Sequence, residues 1–227
     1  MRGAAPRTWT IAPGGFHDPC PDHRGRAERL LPRRQSRHRA GRGGCRRHLR
    51  VPADPRPLYD AVVGTQDWHV DPGEHFSETP DFRTSWPVHC VAHSRGAAVH
   101  EDLDADAVDA WFRKGAYEAA YSGFEGLLVP EEAVATGERE PGAQTEDTVN
   151  VSLDDWLQEQ EIDAVDVVGI ATDHCVRATA LDAVDAGYET RVLLDLTAPV
   201  AQETAEEAVA ALQEAGVQVI NSGQVRR

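Results

Sequence analysis

The sequence predicts an α/β protein of three layers, α/β/α, around a central parallel sheet, and two observations predict it. Short β-branched apolar runs at 60–65, 165–170, 190–196 and 217–220 have the pattern of strands buried on both faces. Between them stand segments with helical spacing. One is capped by Ser152 and runs to about Gln160, one starts at Asp173 and stops near Gly187, and one spans 201–215 and is closed by Gly216. Strands alternating with helices place a parallel sheet between helical layers. A chain of 227 residues has enough core for one such domain.

Charge divides the chain in two. Residues 1–57 carry a net charge of +10 and residues 58–227 a net charge of −25. An acidic body argues against nucleic acid or an anionic membrane as partner. Its composition, with a single Lys, resembles that of a surface adapted to high salt. No apolar run is long enough to span a bilayer, and no secretory signal is seen. Cys20, Cys45, Cys90 and Cys175 form neither a disulfide framework nor a zinc knuckle, so a reducing cytoplasm is the expected setting.

Residues 1–57 are rich in Arg, Pro, Gly and His with little aliphatic periodicity. They are expected to be disordered, with the folded domain at 58–227 and the sheet lacking its first strand. A further pattern lies in the codons. If Asp22 to Arg34 use four-fold degenerate Arg and Leu codons, a frame shifted by one nucleotide permits Ile-Ile-Val-Asp-Val-Gln-Asn-Asp-Phe-Cys-Pro-Gly-Gly without a break. That text is a buried strand ending in an Asp. The segment from about Asp18 to a point before Leu58 is therefore expected to be translated out of frame, with residues 1–17 upstream of the true start. A native basic arm is the other reading.

From Tyr59 each element follows in order. The strand at 60–65 delivers the loop Gln66-Asp67-Trp68-His69, and loops at the carboxyl ends of parallel strands are where α/β folds keep their sites. Asp67 and His69, with His75 and His89 downstream, make a mixed carboxylate–imidazole set that suits one divalent Zn, Fe or Mn. Scattered loop histidines that bind nothing are the bland alternative. Residues 108–114 alternate as a strand and bring Lys114, the one Lys of the chain, to the same sheet edge. A compact ammonium beside a thiolate and a carboxylate is a place that Arg cannot fill. Tyr117, Tyr121 and Phe124 follow, either as walls for an aromatic ligand or as loop packing. Residues 125–151 read as an acidic surface loop with room for a short hairpin.

The strand at 165–170 then turns through Ala171-Thr172-Asp173 into helical spacing. Asp173 stands where an N-cap belongs, which places Cys175 in the first helical turn, where N–H groups favour a thiolate and could hold an oxyanion. An inert buried cysteine fits the same pattern.

At this point the residues carry a resemblance. Gln66-Asp67-Trp68-His69, His75-Phe76-Ser77, Trp86-Pro87-Val88-His89-Cys90, Arg113-Lys114-Gly115, Tyr121-Ser122-Gly123-Phe124 and the run from Gly169 to Val176 occur in order. Over 65–220 the chain resembles the nicotinamidase/pyrazinamidase branch of the isochorismatase-like cysteine hydrolases. The resemblance implies that family's fold, with Cys175 as nucleophile, Lys114 as the ammonium and a cis peptide between Ile170 and Ala171. It further implies an oxyanion hole from the N–H groups of Ala171 and Cys175. Metal ligands would be Asp67, His69, His75 and His89, and Trp86, Tyr121 and His174 would line a pyridine pocket. The substrate implied is nicotinamide or a pyrazinamide-like amide, with homo-oligomer formation left open. The family's first strand ends in Asp-x-Gln-Asn-Asp-Phe, which carries the third catalytic residue, and the printed sequence has no such stretch. The chain is thus expected to fold poorly and to be inactive as written. A hydrolase for another small amide, or a catalytically dead ligand-binding relative, remains an alternative.

Overall fold

The computed structural model describes residues 7–12, 58–100, 103–130, 133–134 and 148–225. Its strands are β1 (Arg7–Ala12), β2 (Ala61–Asp67), β3 (Ala110–Lys114), β4 (Leu127–Val129), β5 (Ala164–Ile170), β6 (Glu189–Ala198) and β7 (Gln218–Ile220). They form one sheet in the order β4-β3-β2-β1-β5-β6-β7, parallel throughout except that β4 runs antiparallel to β3. The helices are α1 (Leu153–Glu159), α2 (Arg177–Asp185) and α3 (Gln202–Glu214).

The fold class is the one the sequence predicts, with two departures. The slot expected to lack a strand is filled by β1, which pairs with β2 on one side and β5 on the other. Its Thr-Trp-Thr-Ile stretch has the β-branched and aromatic content that a central strand favours. The rest of 1–57, and with it the expectation of out-of-frame text, lies outside the described residues. The acidic loop expected at 125–151 opens with β4, whose three residues close the sheet edge.

Strand alternation sorts the core into two faces. Ala61 and Val63, Ala110 and Phe112, and Val165 and Val167 point to one side, where they pack with Leu153 and Leu157 of α1, Ala180 and Ala183 of α2 and Leu212 of α3. Val62, Trp111, Val168 and Leu193 point the other way. Among the described residues that second face is covered by loop and terminal residues such as Tyr59, Val99, Leu103 and Val225. The three described helices therefore share one layer, and the helical layer expected on the other face is not formed by the described residues. Ser152 caps α1 as expected, accepting from the Asp155 N–H while the Asp155 carboxylate accepts from the Ser152 N–H. Such a box stabilises a helix by about 1 kcal/mol. A buried ion pair joins β5 to β6: Arg191 Nε and Nη2 donate to the two Asp166 oxygens at 2.6 and 2.5 Å, and the Tyr59 hydroxyl adds a third donor at 2.7 Å.

The acids crowd the solvent side of these elements, as at Glu203, Glu206, Glu207 and Glu214 of α3. Self-repulsion among so many uncompensated carboxylates opposes the compact state and is screened by salt. Raising KCl from about 0.05 M to about 2 M is expected to stabilise the protein. A gain of about 2 kcal/mol would lift Tm by roughly 4–8 °C. A Tm that holds level or falls across a salt series would contradict this. No helix among the described residues is long and apolar enough to cross a membrane.

Candidate active site

The β2–β3 register builds the first half of the site. Asp67 lies opposite Lys114 and Gln66 opposite Arg113, so one pair faces the helical layer and the other faces away. A slip of one residue would exchange them. On the helical side Lys114 Nζ donates to Asp67 Oδ1 at 2.5 Å and to the Ala120 carbonyl at 2.7 Å. On the other side Arg113 Nε donates to Gln66 Oε1 at 3.1 Å, and the guanidinium lies 3.5 Å from the Trp68 ring centroid. Both charges of the Lys114–Asp67 pair are buried.

The second half arrives from β5. After Ile170 the chain passes through a cis peptide to Ala171 and into a π-turn (Thr172–Val176) that precedes α2. Cys175 Sγ comes to 3.6 Å from Lys114 Nζ, and the Ala171 N–H is directed at the same sulfur. The expected cap is not made. The Asp173 carboxylate turns away from α2 and accepts from the N–H groups of Val200 and Ala201 instead. Cys175 therefore sits in a π-turn and not in the first turn of a regular helix. Burial pushes its thiol above the ordinary range, against the pull of the Lys114 ammonium and the Ala171 N–H. The local donors pull toward the thiolate as the sequence leads one to expect, and burial opposes them. Burial also disfavours charge on Lys114, but Asp67 and Cys175 outweigh it and hold the ammonium pKa above its usual value. Asp67, although desolvated, is held low by the same ammonium and stays ionised.

The predicted imidazoles converge. One ring nitrogen each of His69, His75 and His89 falls within a set no wider than 4.8 Å. Their tautomers follow from backbone carbonyls, which only accept. His69 Nδ1 donates to the Gly115 carbonyl at 2.6 Å and His89 Nδ1 to the Pro87 carbonyl at 2.8 Å, which leaves the lone pair on Nε2 in both. His75 bonds the Thr84 carbonyl, and its Nδ1, like His69 Nε2, is buried with no hydrogen-bond partner. Burial lowers the pKa of His69, and takes that of His75 to about 4, so both rings are neutral near pH 7. Orphaned buried lone pairs on neutral imidazoles are what a divalent ion requires, so the residues fit a metal. Gly115 is tied to this geometry. Its φ is +73°, and a Cβ there would stand 2.8 Å from His69 Cε1.

Asp67, the fourth predicted ligand, belongs to an adjoining group with His89 and Cys90, while its Oδ1 serves Lys114. Cys90 of that group is buried and packs with Trp68 and Ala97.

The substrate-side residues also meet. Trp86 Nε1 donates to the Tyr121 hydroxyl at 3.0 Å, which donates to the Arg83 carbonyl at 3.1 Å. The His174 ring stands edge-on to Trp86 at 5.0 Å and tilted against Tyr121 at 5.6 Å. Together with Ala171, Cys175 and Val200 they line an open cleft that reaches the imidazole cluster. Of the other aromatics, Tyr117 points to solvent and Phe124 packs against the core under α2. The site as a whole can present a sulfur nucleophile, an ammonium and a metal to one flat polar ring.

Comparison with known proteins agrees in kind. The isochorismatase domain model matches residues 61–224. The nicotinamidase/pyrazinamidase of Mycobacterium tuberculosis is 48% identical over 164 residues, which are 72% of this chain and 78% of that protein. Among solved structures, PnC1 from L. infantum in complex with nicotinate superposes with a TM-score of 0.62 at 26% identity, covering 96% of this chain and 94% of that one. An Acinetobacter baumanii nicotinamidase/pyrazinamidase gives 0.61 at 25% identity, covering 99% and 100%.

Proposed function

This chain belongs to the isochorismatase family, and from that premise we propose that it is a nicotinamidase, hydrolysing nicotinamide to nicotinate and ammonia. The observation that carries the reading is Cys175 Sγ lying 3.6 Å from the buried Lys114 ammonium, inside a cleft that also reaches three convergent imidazoles.

The cleft would hold the pyridine ring between Trp86, Tyr121 and His174. A divalent ion held by His69, His75, His89 and Asp67 would act as a Lewis acid that grips the ring nitrogen and orients it. Cys175 loses its thiol proton and its sulfur attacks the carboxamide carbon, and the oxyanion accepts from the N–H groups of Ala171 and Cys175. The C–N bond then breaks, the nitrogen takes a proton and leaves as ammonia, and a thioester remains. Water adds to the thioester carbon, the C–S bond breaks, and nicotinate and the thiol are released. Lys114 favours the sulfur anion as it forms and keeps the neighbouring carboxylate in place.

The proton must travel through a carboxylate, and this is where the chain departs from its family. Strand β1 (Arg7–Ala12) contains no acid, and the next one in the sequence, Asp18, lies outside the described residues. Among the described residues the carboxylate bonded to Lys114 is that of Asp67. We therefore propose that proton transfer is impaired in the chain as written and that a reading frame restoring the Asp-ending strand encodes the efficient enzyme. The bare β1 also favours the second reading, a ligand-binding relative that has lost turnover.

Ammonia release from nicotinamide separates enzyme from binder. Stripping the metal with a chelator, or replacing His69 or His89 by Ala, is expected to raise KM at least tenfold and to lower the bound metal below stoichiometry, the scale of effect that metal-ligand shells show. Full activity in metal-free protein would overturn the assignment of these imidazoles.

A further inference from the structure

The π-turn that presents Cys175 is fastened to another part of the fold. Asp173, 3% exposed, directs its carboxylate across to the segment that joins β6 to α3. Oδ1 accepts from the Val200 N–H at 3.0 Å, and Oδ2 accepts from the Ala201 N–H at 3.2 Å and from the Thr204 hydroxyl. Beside it the buried Thr172 hydroxyl donates to the Thr197 hydroxyl at 2.8 Å, and Thr197 donates to the Leu194 carbonyl. Four residues from 197 to 204 are thereby tied to two residues of the turn.

Val200 shows why the tie matters. It lines the cleft with His174 and Cys175, yet it is 45% exposed and outside the hydrophobic clusters. Apolar packing does not hold this wall in place. Its backbone N–H bonded to Asp173 does. One carboxylate thus sets both the position of the sulfur relative to Lys114 and the position of the wall against which a ring would lie.

We propose that Asp173, acting with Thr204, is a positioning residue that locks the nucleophile turn and the Val200 wall into one rigid unit. The catalytic consequence rests on the nicotinamidase reading above, whereas the mechanical coupling does not. Charged donor–acceptor sets that satisfy a buried carboxylate specify one arrangement of the groups around it. Misplacement of about 1 Å at a reacting centre costs up to about 100-fold in rate.

Three conservative variants test this, since Asp173→Ala risks misfolding. Thr204→Val removes one donor and leaves the backbone bonds, and Thr204→Ser keeps the hydroxyl. With nicotinamide, Thr204→Val is expected to raise KM and lower kcat, together roughly tenfold in kcat/KM, while Thr204→Ser retains parent values. Hydrogen exchange followed by mass spectrometry supplies a readout that needs no turnover. In Thr204→Val and Asp173→Asn, exchange is expected to rise together in peptides covering 170–177 and 198–204. Exchange that rises in 198–204 alone, or a lowered Tm with kcat and KM unchanged, overturns the proposal. If neither the parent chain nor the form whose reading frame restores the Asp-ending strand releases ammonia, the nicotinamidase reading fails, and the exchange data still decide the coupling.

Discussion

Replacing Cys175 by Ala is expected to abolish ammonia release from nicotinamide, by about 10⁴-fold or more, the scale seen when a covalent nucleophile is removed. The reason is geometric. Among the described residues Cys175 provides the one sulfur in contact with Lys114, and the neighbouring Cys90 lies in a separate buried cluster with Trp68 and Ala97. Folding is expected to survive the change. Lys114 keeps Asp67 and the Ala120 carbonyl as partners, so no buried charge is stranded. Ligand binding should survive as well, because Trp86, Tyr121, His174 and the imidazoles are untouched. The decisive measurement is therefore a pair: nicotinate affinity close to parent by calorimetry, with ammonia release at background. A Cys175→Ala protein that still turns over would remove the thioester from the mechanism. One that neither binds nor folds would show that the sulfur serves the core.

Much of this site was readable in the chain because its parts are local. The pattern of β2 and β3 places Asp67 and Lys114 at strand ends, and a single Lys among so many Arg marked the position before any contact was seen. Spacing brought His69, His75 and His89 into one loop system at the same edge. What could not be read depends on the far side of a contact. An Asp before a helix looks like a cap whether it faces its own helix or, as Asp173 does, the N–H groups of Val200 and Ala201 some 27 residues on. The state of the Cys175 thiol turned on burial, which a local pattern of donors does not record. Strand β4 has three residues between Gly126 and Pro130, too few for a periodic signal. Strand β1 was hidden by its neighbours, since Arg and Pro around it outweigh the Thr-Trp-Thr-Ile stretch.

That strand frames the second large effect. The slot between β2 and β5 is filled by Arg7–Ala12, all six of whose residues pair with β5 while Thr8 to Ile11 pair with β2 as well. Pairing is a weak test of sequence, because any β-branched or aromatic run satisfies it. Catalysis asks for more. The register sets Ala12 opposite Gly169, one residue before the Ile170–Ala171 bond, so the carboxyl end of this strand opens toward the nucleophile turn. A carboxylate delivered there could take the Cys175 proton and later activate water, whereas Ala12 can do neither. Translating 18–57 in the frame shifted by one nucleotide, and starting at the Met which that frame permits near His17, would supply a strand ending in Asp. General acid–base groups contribute roughly 10²- to 10⁴-fold, so the reframed protein is expected to hydrolyse nicotinamide faster than the printed chain by that factor. Changing the restored Asp to Asn should return the rate to the printed chain's level while leaving Tm and metal content near those of the reframed protein. Equal turnover by printed and reframed proteins would mean that Asp67, already bonded to Lys114, suffices as the proton carrier.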